Sequence, residues 1–369
     1  MKRRQLLGYT ATGAATAALA SCGTTNPEAS SGTPGALPPV KWQMTTSWPN
    51  SLDTLQGSAL YVAERVAALS GGRFTIEVFA AGELVPGLQV LDAVQSGTVQ
   101  CGHSPTYYYV GKNSALAFGT ALPFGLNAQQ QNAWLYHGGG IEAMNDILAS
   151  FNTIAFPAGN TGTQMGGWFK REIKTVADLQ GLKMRIPGLG GQVLSRLGVN
   201  PQILPGGEVF LALERGAIDA AEWVGPYDDE KLGLHKAAPF YYAPGWWEPG
   251  ATLHLMINLD AWNQLPPPYQ AMVQTAAAEA NQNCLSLYDT RNPEALQRLL
   301  AQGTQLRSFS PEILAACQKE AFALYGEMAA ENPQFQAIFD PWQKFRETIY
   351  QWHGVAELGF SSFVMQSPV

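Results

Sequence analysis

Residues 74–105, "FTIEVFAAGELVPGLQVLDAVQSGTVQCGHSP", decide how this chain is read. Its opening, "FTIEVFAAG", alternates apolar and polar residues, the period of a half-buried strand. "GLQVLDAVQSGTVQCGHSP" then reads as a helix, a glycine stop and a second strand. Upstream, "KWQMTTSW" (41–48) reads as a first strand. "SLDTLQGSALYVAERVAALSGGRF" (51–74) reads as a helix with Leu55, Leu60, Val62, Val66 and Leu69 on its apolar face, ended by Gly71-Gly72. Strand, helix, strand, helix, strand is a βαβ rhythm. It predicts α/β layers around a mostly parallel core.

The helix–glycine–strand unit recurs. "VLDAVQSGTVQCG" (90–102) aligns with "VFLALERGAIDAA" (209–221), although few positions are identical, and chance similarity is the competing account. A genuine repeat would mean two similarly built lobes. Two extended segments, 152–169 and 250–262, are suited to cross between them and to carry a hinge. From Pro266 onward the chain is helical by composition and spacing, with breaks expected at Asn292-Pro293, Asn332-Pro333 and Asp340-Pro341. That much helix suggests a spine or a subunit contact.

The 369 residues are enough for about two domains. With 46% hydrophobic and 14% charged residues the chain has the means to bury a large core. A net charge of −7 and the absence of a basic stripe argue against nucleic acid as a partner. At the N-terminus, Lys2, Arg3 and Arg4 precede a mildly apolar run from Leu6 to Ala20. The Arg3-Arg4 pair resembles a twin-arginine export signal, and Leu19-Ala20-Ser21-Cys22 resembles a lipoprotein cleavage box. An ordinary secretory signal with a chance cysteine is the alternative. Either way the protein is expected to be periplasmic, with Cys22 a candidate lipid anchor and "GTTNPEASSGTPGALPPV" a tether. Cys101, Cys284 and Cys317 stand in apolar contexts and read as buried thiols.

Enzyme motifs are missing: no HExxH, GxSxG or Walker loop occurs, and "PGLGGQVL" lacks the third glycine of a dinucleotide loop. Three stretches retain chemical interest. In "GLKMRIPGLGGQ" (181–192), Arg185 alternates with Leu182, Met184 and Ile186 just before Pro187-Gly188 end the strand. Ligands of α/β sheets bind beyond the carboxyl ends of strands, and an arginine fork there suits a carboxylate. A surface salt bridge is the competing account. In "GNTGTQMGGW" (159–168), Asn160, Gln164 and Trp168 are expected on one strand face, with glycines that allow close approach. Tight sheet packing is the competing account. In "DAAEWVGPYDD" (219–229), Glu222 stands at a strand end where burial alone would be costly. Glu222, the Gln164 amide oxygen and the Trp223 carbonyl are donors that Na⁺ or Ca²⁺ favours. Alternatively Glu222 pairs with Arg185.

Taken together, "AAGELVP", "AWLYHGGG", "FPAGNTGTQMGGWFKREI", "DLQGLKMRIPGLGGQVLSRLG", "LPGGEVFLALERGAIDAAEWVGPYDD" and "YYAPGWWEPG" resemble the extracytoplasmic solute receptors of TRAP transporters, in particular the branch binding 2-oxo acids and lactate. The resemblance runs from about Lys41 into the C-terminal helices. It implies a two-lobed, type II-like periplasmic binding fold with hinge strands and a long helical C-terminal region. The expected partition is an export signal (1–22), a linker (23–40), lobe I (41–161 plus 249–290), lobe II (162–248 plus 291–340) and a helical extension (341–369). The resemblance further implies that Arg185 grips a substrate carboxylate and that Gln164, Glu222 and the Trp223 backbone hold a bridging Na⁺ or Ca²⁺. Asn160, Tyr107, Tyr108 and Glu248 would line the cleft. The implied substrate is a small monocarboxylate such as pyruvate, with lactate or an amino acid such as glutamate as alternatives. The implied partners are the membrane permease subunits and a second copy of the chain, joined through C-terminal helices. An enzyme using Glu222 as a base is the rival reading from another class.

Overall fold

The computed structural model describes residues 37–366; the export-signal and lipid-anchor expectations at residues 1–22, and most of the tether, lie outside them. The chain from Pro39 onward forms one unit built on two sheets. The first comprises β1 (Val40–Thr46), β2 (Phe74–Phe79), β3 (Cys101–Ser104), β4 (Thr153–Asn160) and β10 (Thr252–Asn258), in the order β2-β1-β3-β10-β4. The second comprises β5 (Gly167–Phe169), β6 (Lys183–Arg185), β7 (Asn200–Gln202), β8 (Ala220–Ala221), β9 (Phe240–Ala243) and β11 (Gln305–Ser308), in the order β11-β9-β5-β8-β6-β7.

Both sheets are mixed, which corrects the expectation of a mostly parallel core. β1 pairs in parallel with β2 and β3, but β10 runs antiparallel to both β3 and β4. In the second sheet β5 is antiparallel to both neighbours. The reason is topological. The chain leaves the first sheet after Asn160 and returns at Thr252, so each crossing delivers a strand in the reverse sense.

The repeat is structural. The Val90–Gln95 helix leads into β3 beside β1, and the Gly206–Glu214 helix leads into β8 beside β6. Gly97 and Gly216 end the helices in the left-handed region, with φ of 72° and 77°. The Val99 N–H donates to Ala93 O at 3.4 Å, and the Ile218 N–H to Ala212 O at 3.3 Å, at equivalent positions. The two sheets therefore share one local plan.

Two helical expectations need correction. In the Leu55–Leu69 helix the buried face runs through Leu55, Ala59, Val62 and Val66, while Leu60 and Leu69 are exposed. The core selects a stripe offset from the bulkiest residues, filled instead by Gln56, Ser58, Ala59 and Ala63. Of the three proline breaks only Asn332-Pro333 is real, where the Asn332 side chain caps the Pro333–Val355 helix. Pro341 lies inside that helix, and Pro293 inside the Pro267–Ala301 helix. An internal proline costs roughly 3 kcal/mol. The long helix packs along β4, the Leu55–Leu69 helix and the Pro226–Leu232 helix, and that burial overrides the local preference. Cys101, Cys284 and Cys317 are free and buried.

Candidate functional site

The site begins with two parallel strands ending at the same level. β6 and β8 are paired with Arg185 opposite Ala221, so the next residue of β8, Glu222, emerges beside Arg185. The Glu222 N–H donates to Arg185 O at 3.2 Å. Met184 and Ile186 anchor β6 in the core and turn Arg185 the other way, toward the cleft. There Arg185 is 1% exposed and Glu222 is fully buried.

Arg185 Nη1 donates to the Glu222 carbonyl at 3.1 Å and forms an ion pair with Glu222 Oε1. Its Nε donates to Leu204 O at 3.1 Å, and Nη2 reaches the Tyr108 hydroxyl at 3.4 Å. The guanidinium lies over the Trp223 ring, 4.7 Å from its centroid. That ring in turn presses on Gly206, where a Cβ would stand 2.5 Å from Trp223 Cη2. Burial works against the Arg185 charge, but Glu222, together with Tyr108 and Tyr107, outweighs it and keeps the guanidinium cationic. Burial pushes Glu222 well above the usual carboxylate range; Arg185 pulls it down, and Glu248 and Asp229 push it further up. One arginine therefore does not offset the cost of burying this carboxylate. Burial also pushes Glu248 up to about 7, against lowering by Tyr107 and Arg185.

Gln164 comes from the crossing between sheets. Its N–H donates to Glu248 O at 3.1 Å and its carbonyl accepts from Gly245 N–H at 2.8 Å, so the outgoing and returning segments clasp each other. Its side-chain Nε2 donates to Thr161 Oγ1 at 3.1 Å. Gln164 Oε1 and Glu222 Oε2 are buried with no hydrogen-bond partner, as is Glu248 Oε2. Unsatisfied buried acceptors are costly. A hard cation takes such oxygens as ligands, so the Gln164 and Glu222 donor set fits Na⁺ or Ca²⁺.

Gln164, Arg185, Trp223, Tyr107 and Tyr108 line one cavity with Trp48, Leu55, Pro105, Thr161, Val224, Ala251 and Leu253. The room left inside it is about 20 Å³, enough for about one water molecule. Tyr107 and Tyr108 both reach it. Asn160 does not line it: its Nδ2 donates to Thr252 Oγ1 at 3.1 Å, and its Oδ1 accepts from Gly162 N–H at 2.9 Å. Nor do Asn160, Gln164 and Trp168 share a strand face. The strand stops at Asn160 and a new one begins at Gly167, which puts Trp168 in the second sheet, stacked on Tyr241 with centroids 3.9 Å apart. Sequence reading missed Trp48, Leu55 and Leu253, which carry only an ordinary core signal and reach the cavity through tertiary packing. A larger hollow around Trp42, Gln100, Asn258 and Gln264 holds no buried unpartnered acceptor among the described residues.

Comparison with known proteins gives the family. Residues 44–332 match the family model for DctP, bacterial extracellular solute-binding protein, family 7. A curated relative from Nostoc sp. (strain PCC 7120 / SAG 25.82 / UTEX 2576) is 61% identical over the whole of both chains and is named a monocarboxylate 2-oxoacid-binding periplasmic protein. A solved TRAP transporter solute-binding protein from Bordetella bronchiseptica RB50 is 49% identical, with a TM-score of 0.88 over 88% of this chain and 97% of that one. It is a mixed-occupancy dimer with copurified calcium and picolinate in one active site and an apo site in the other. A TRAP periplasmic solute-binding protein from Pseudoalteromonas atlantica T6c, with bound sodium and pyruvate, is 36% identical, with a TM-score of 0.85 over 88% of this chain and 99% of that one. The chain thus belongs to the family 7 bacterial extracellular solute-binding proteins, the solute receptors of TRAP transporters, and not to an enzyme family.

Proposed function

We propose that this receptor captures a small monocarboxylate, a 2-oxo acid such as pyruvate, and presents it to the TRAP permease. The observation that carries the reading is a buried arginine at a strand end beside two buried, unpartnered acceptor oxygens, Gln164 Oε1 and Glu222 Oε2. Arg185 supplies the charge and fork for a carboxylate. Gln164, Glu222 and the Trp223 backbone hold a Na⁺ or Ca²⁺ ion, which when bound supplies a second positive charge for the acid. Tyr107, Tyr108 and Trp48 exclude water, and Leu55, Ala251 and Leu253 limit the apolar end to a short chain. Glu248 and Asn160 shape the crossing segments around the cavity. The relatives named for 2-oxo acids, or holding pyruvate or picolinate with a metal, support this reading.

The remaining features fit the same role. The lobes are taken as 41–161 plus 249–290 and 162–248 plus 291–340, with 341–369 as an extension. That extension is the candidate dimer contact, since Leu358, Phe360, Phe363 and Met365 are exposed. Among the described residues no helix is long and apolar enough to cross a membrane. A lipid on Cys22 would tether the receptor at the periplasmic face of the membrane. The deciding experiment is calorimetric titration of pyruvate, lactate and glutamate into metal-stripped protein, then with Na⁺ or Ca²⁺ restored. Cation-dependent pyruvate binding is the expected result. A folded protein that binds none of the three with either ion overturns the assignment.

A further inference from the structure

We infer that Arg185 and Glu222 form an internal lock: each occupies the other when no acid is bound, and both exchange partners before an acid is held. This rests on the monocarboxylate reading above and adds an order of events to it. Three observations carry it.

The first is donor arithmetic. Nη1 has two hydrogens, and both go to Glu222, one to its carbonyl and one to Oε1. Nε is taken up by Leu204 O. Only Nη2 is loosely engaged, at 3.4 Å from Tyr108. A two-pronged grip on a carboxylate needs donors on two nitrogens, and the locked arginine offers one.

The second is burial. Glu222 is fully buried, so its carboxylate has no water to turn to when Arg185 leaves. A replacement partner must be a cation, or the carboxylate must lose its charge.

The third is acceptor pairing. Glu222 Oε2 and Gln164 Oε1 are buried and unpartnered. Glu222 Oε2 is therefore open to a second partner, the cation that the proposed function places on Glu222 and Gln164. When Glu222 turns to a cation there, the Nη1 hydrogen held by its carboxylate is freed, and Arg185 offers donors on two nitrogens, Nη1 and Nη2. The cation requirement then has two origins: contact with the acid and release of Arg185. By reciprocity the acid raises the cation affinity by the same factor.

Substituting Glu222→Gln separates these origins, because a neutral amide does not hold the guanidinium as a carboxylate does. Pyruvate is titrated into metal-stripped wild type and metal-stripped E222Q, with circular dichroism confirming that both are folded. The expected result is that stripped E222Q binds pyruvate roughly tenfold or more tightly than stripped wild type, and that calcium no longer improves it. Stripped E222Q binding no tighter than stripped wild type overturns the lock. Wild type failing to bind pyruvate even with calcium or sodium overturns the ligand assignment instead. A second measurement on wild type needs neither E222Q nor the acid. Guanidinium NMR, assigned with Arg185→Lys, is expected to show restrained Arg185 Nη signals in stripped protein that become mobile when calcium alone is added. Signals unchanged by calcium overturn the lock.

Discussion

The ring of Tyr107, which follows the first sheet, lies directly against Gly188, which opens the first helix after Arg185. A Cβ on Gly188 would stand 2.7 Å from Tyr107 Cδ2, and Gly188 has φ of +63°. Both the backbone conformation and the contact exclude a side chain. The close approach of the two sides above the cavity depends on this bare α-carbon. Gly188→Ala is expected to cost about 1–3 kcal/mol of stability and to weaken acid binding by holding the two sides apart. Paired urea unfolding and calorimetry check this; unchanged affinity would show that the contact does not set closure.

Removing the arginine tests the carboxylate grip. Arg185→Ala is expected to weaken acid binding by about 2–5 kcal/mol. It also strands Glu222, so the variant loses stability at pH 8. The loss should shrink at pH 5, where the stranded carboxylate, already pushed upward by burial, takes a proton. Arg185→Lys should not restore affinity, since an ammonium lacks the planar fork.

Gln164 offers a milder test of the cation site. Its Oε1 has no partner to lose and its Nε2 loses one bond, to Thr161, so Gln164→Ala should cost metal-free protein only about 1 kcal/mol. Calcium affinity should fall clearly. Thermal unfolding with and without calcium reads both quantities, and an unchanged calcium-induced Tm shift would remove Gln164 from the ligand set.

Asp228 predicts a pH dependence. Thr54 and Tyr288 hydroxyls donate to it at 2.6 and 2.7 Å, yet burial raises its pKa to about 7 from 3.8. The folded state then binds the proton more tightly than the unfolded chain. Stability from this group is fully present below pH 3.8 and is lost as pH rises through 7. A tenfold difference in proton affinity between the two states corresponds to about 1.4 kcal/mol. Asp228→Asn should therefore gain stability relative to wild type as pH rises from 5 to 8, by on the order of 1–3 kcal/mol. Urea midpoints across that range measure the difference; a constant offset would show that Asp228 does not titrate there.

The C-terminal segment predicts assembly. No residue of the Glu357–Gln366 helix is buried, and Phe360 and Phe363 are 71% and 74% exposed. Exposed apolar surface of this kind marks an interaction site. Truncation after Ala356 should leave the fold intact and convert a dimer to a monomer in sedimentation velocity. A full-length chain that stays monomeric across concentrations would exclude the contact.

Much of this was legible in the residues. The βαβ rhythm of 74–105, the Arg185 position before Pro187 and the odd carboxylate at Glu222 are local signals, set by side-chain period and chain-breaking residues that act over a few positions. The Arg185–Glu222 pair was open in sequence as one of two readings. The pairing follows from the register of β6 on β8, which no local pattern encodes. Leu60 and Leu69 looked like core and are not, while Pro293 and Pro341 looked like breaks and are helical. In those places long-range packing outweighed propensities of a few kcal/mol. The cavity is a product of tertiary structure for the same reason. Trp48, Leu55, Gln164, Arg185 and Leu253 come from five separate segments. Sequence determined which residues bring charge, amide and aromatic surface. Only the packing of two sheets decided which of them share one buried volume, where a partner's presence or absence sets the energy of every charge.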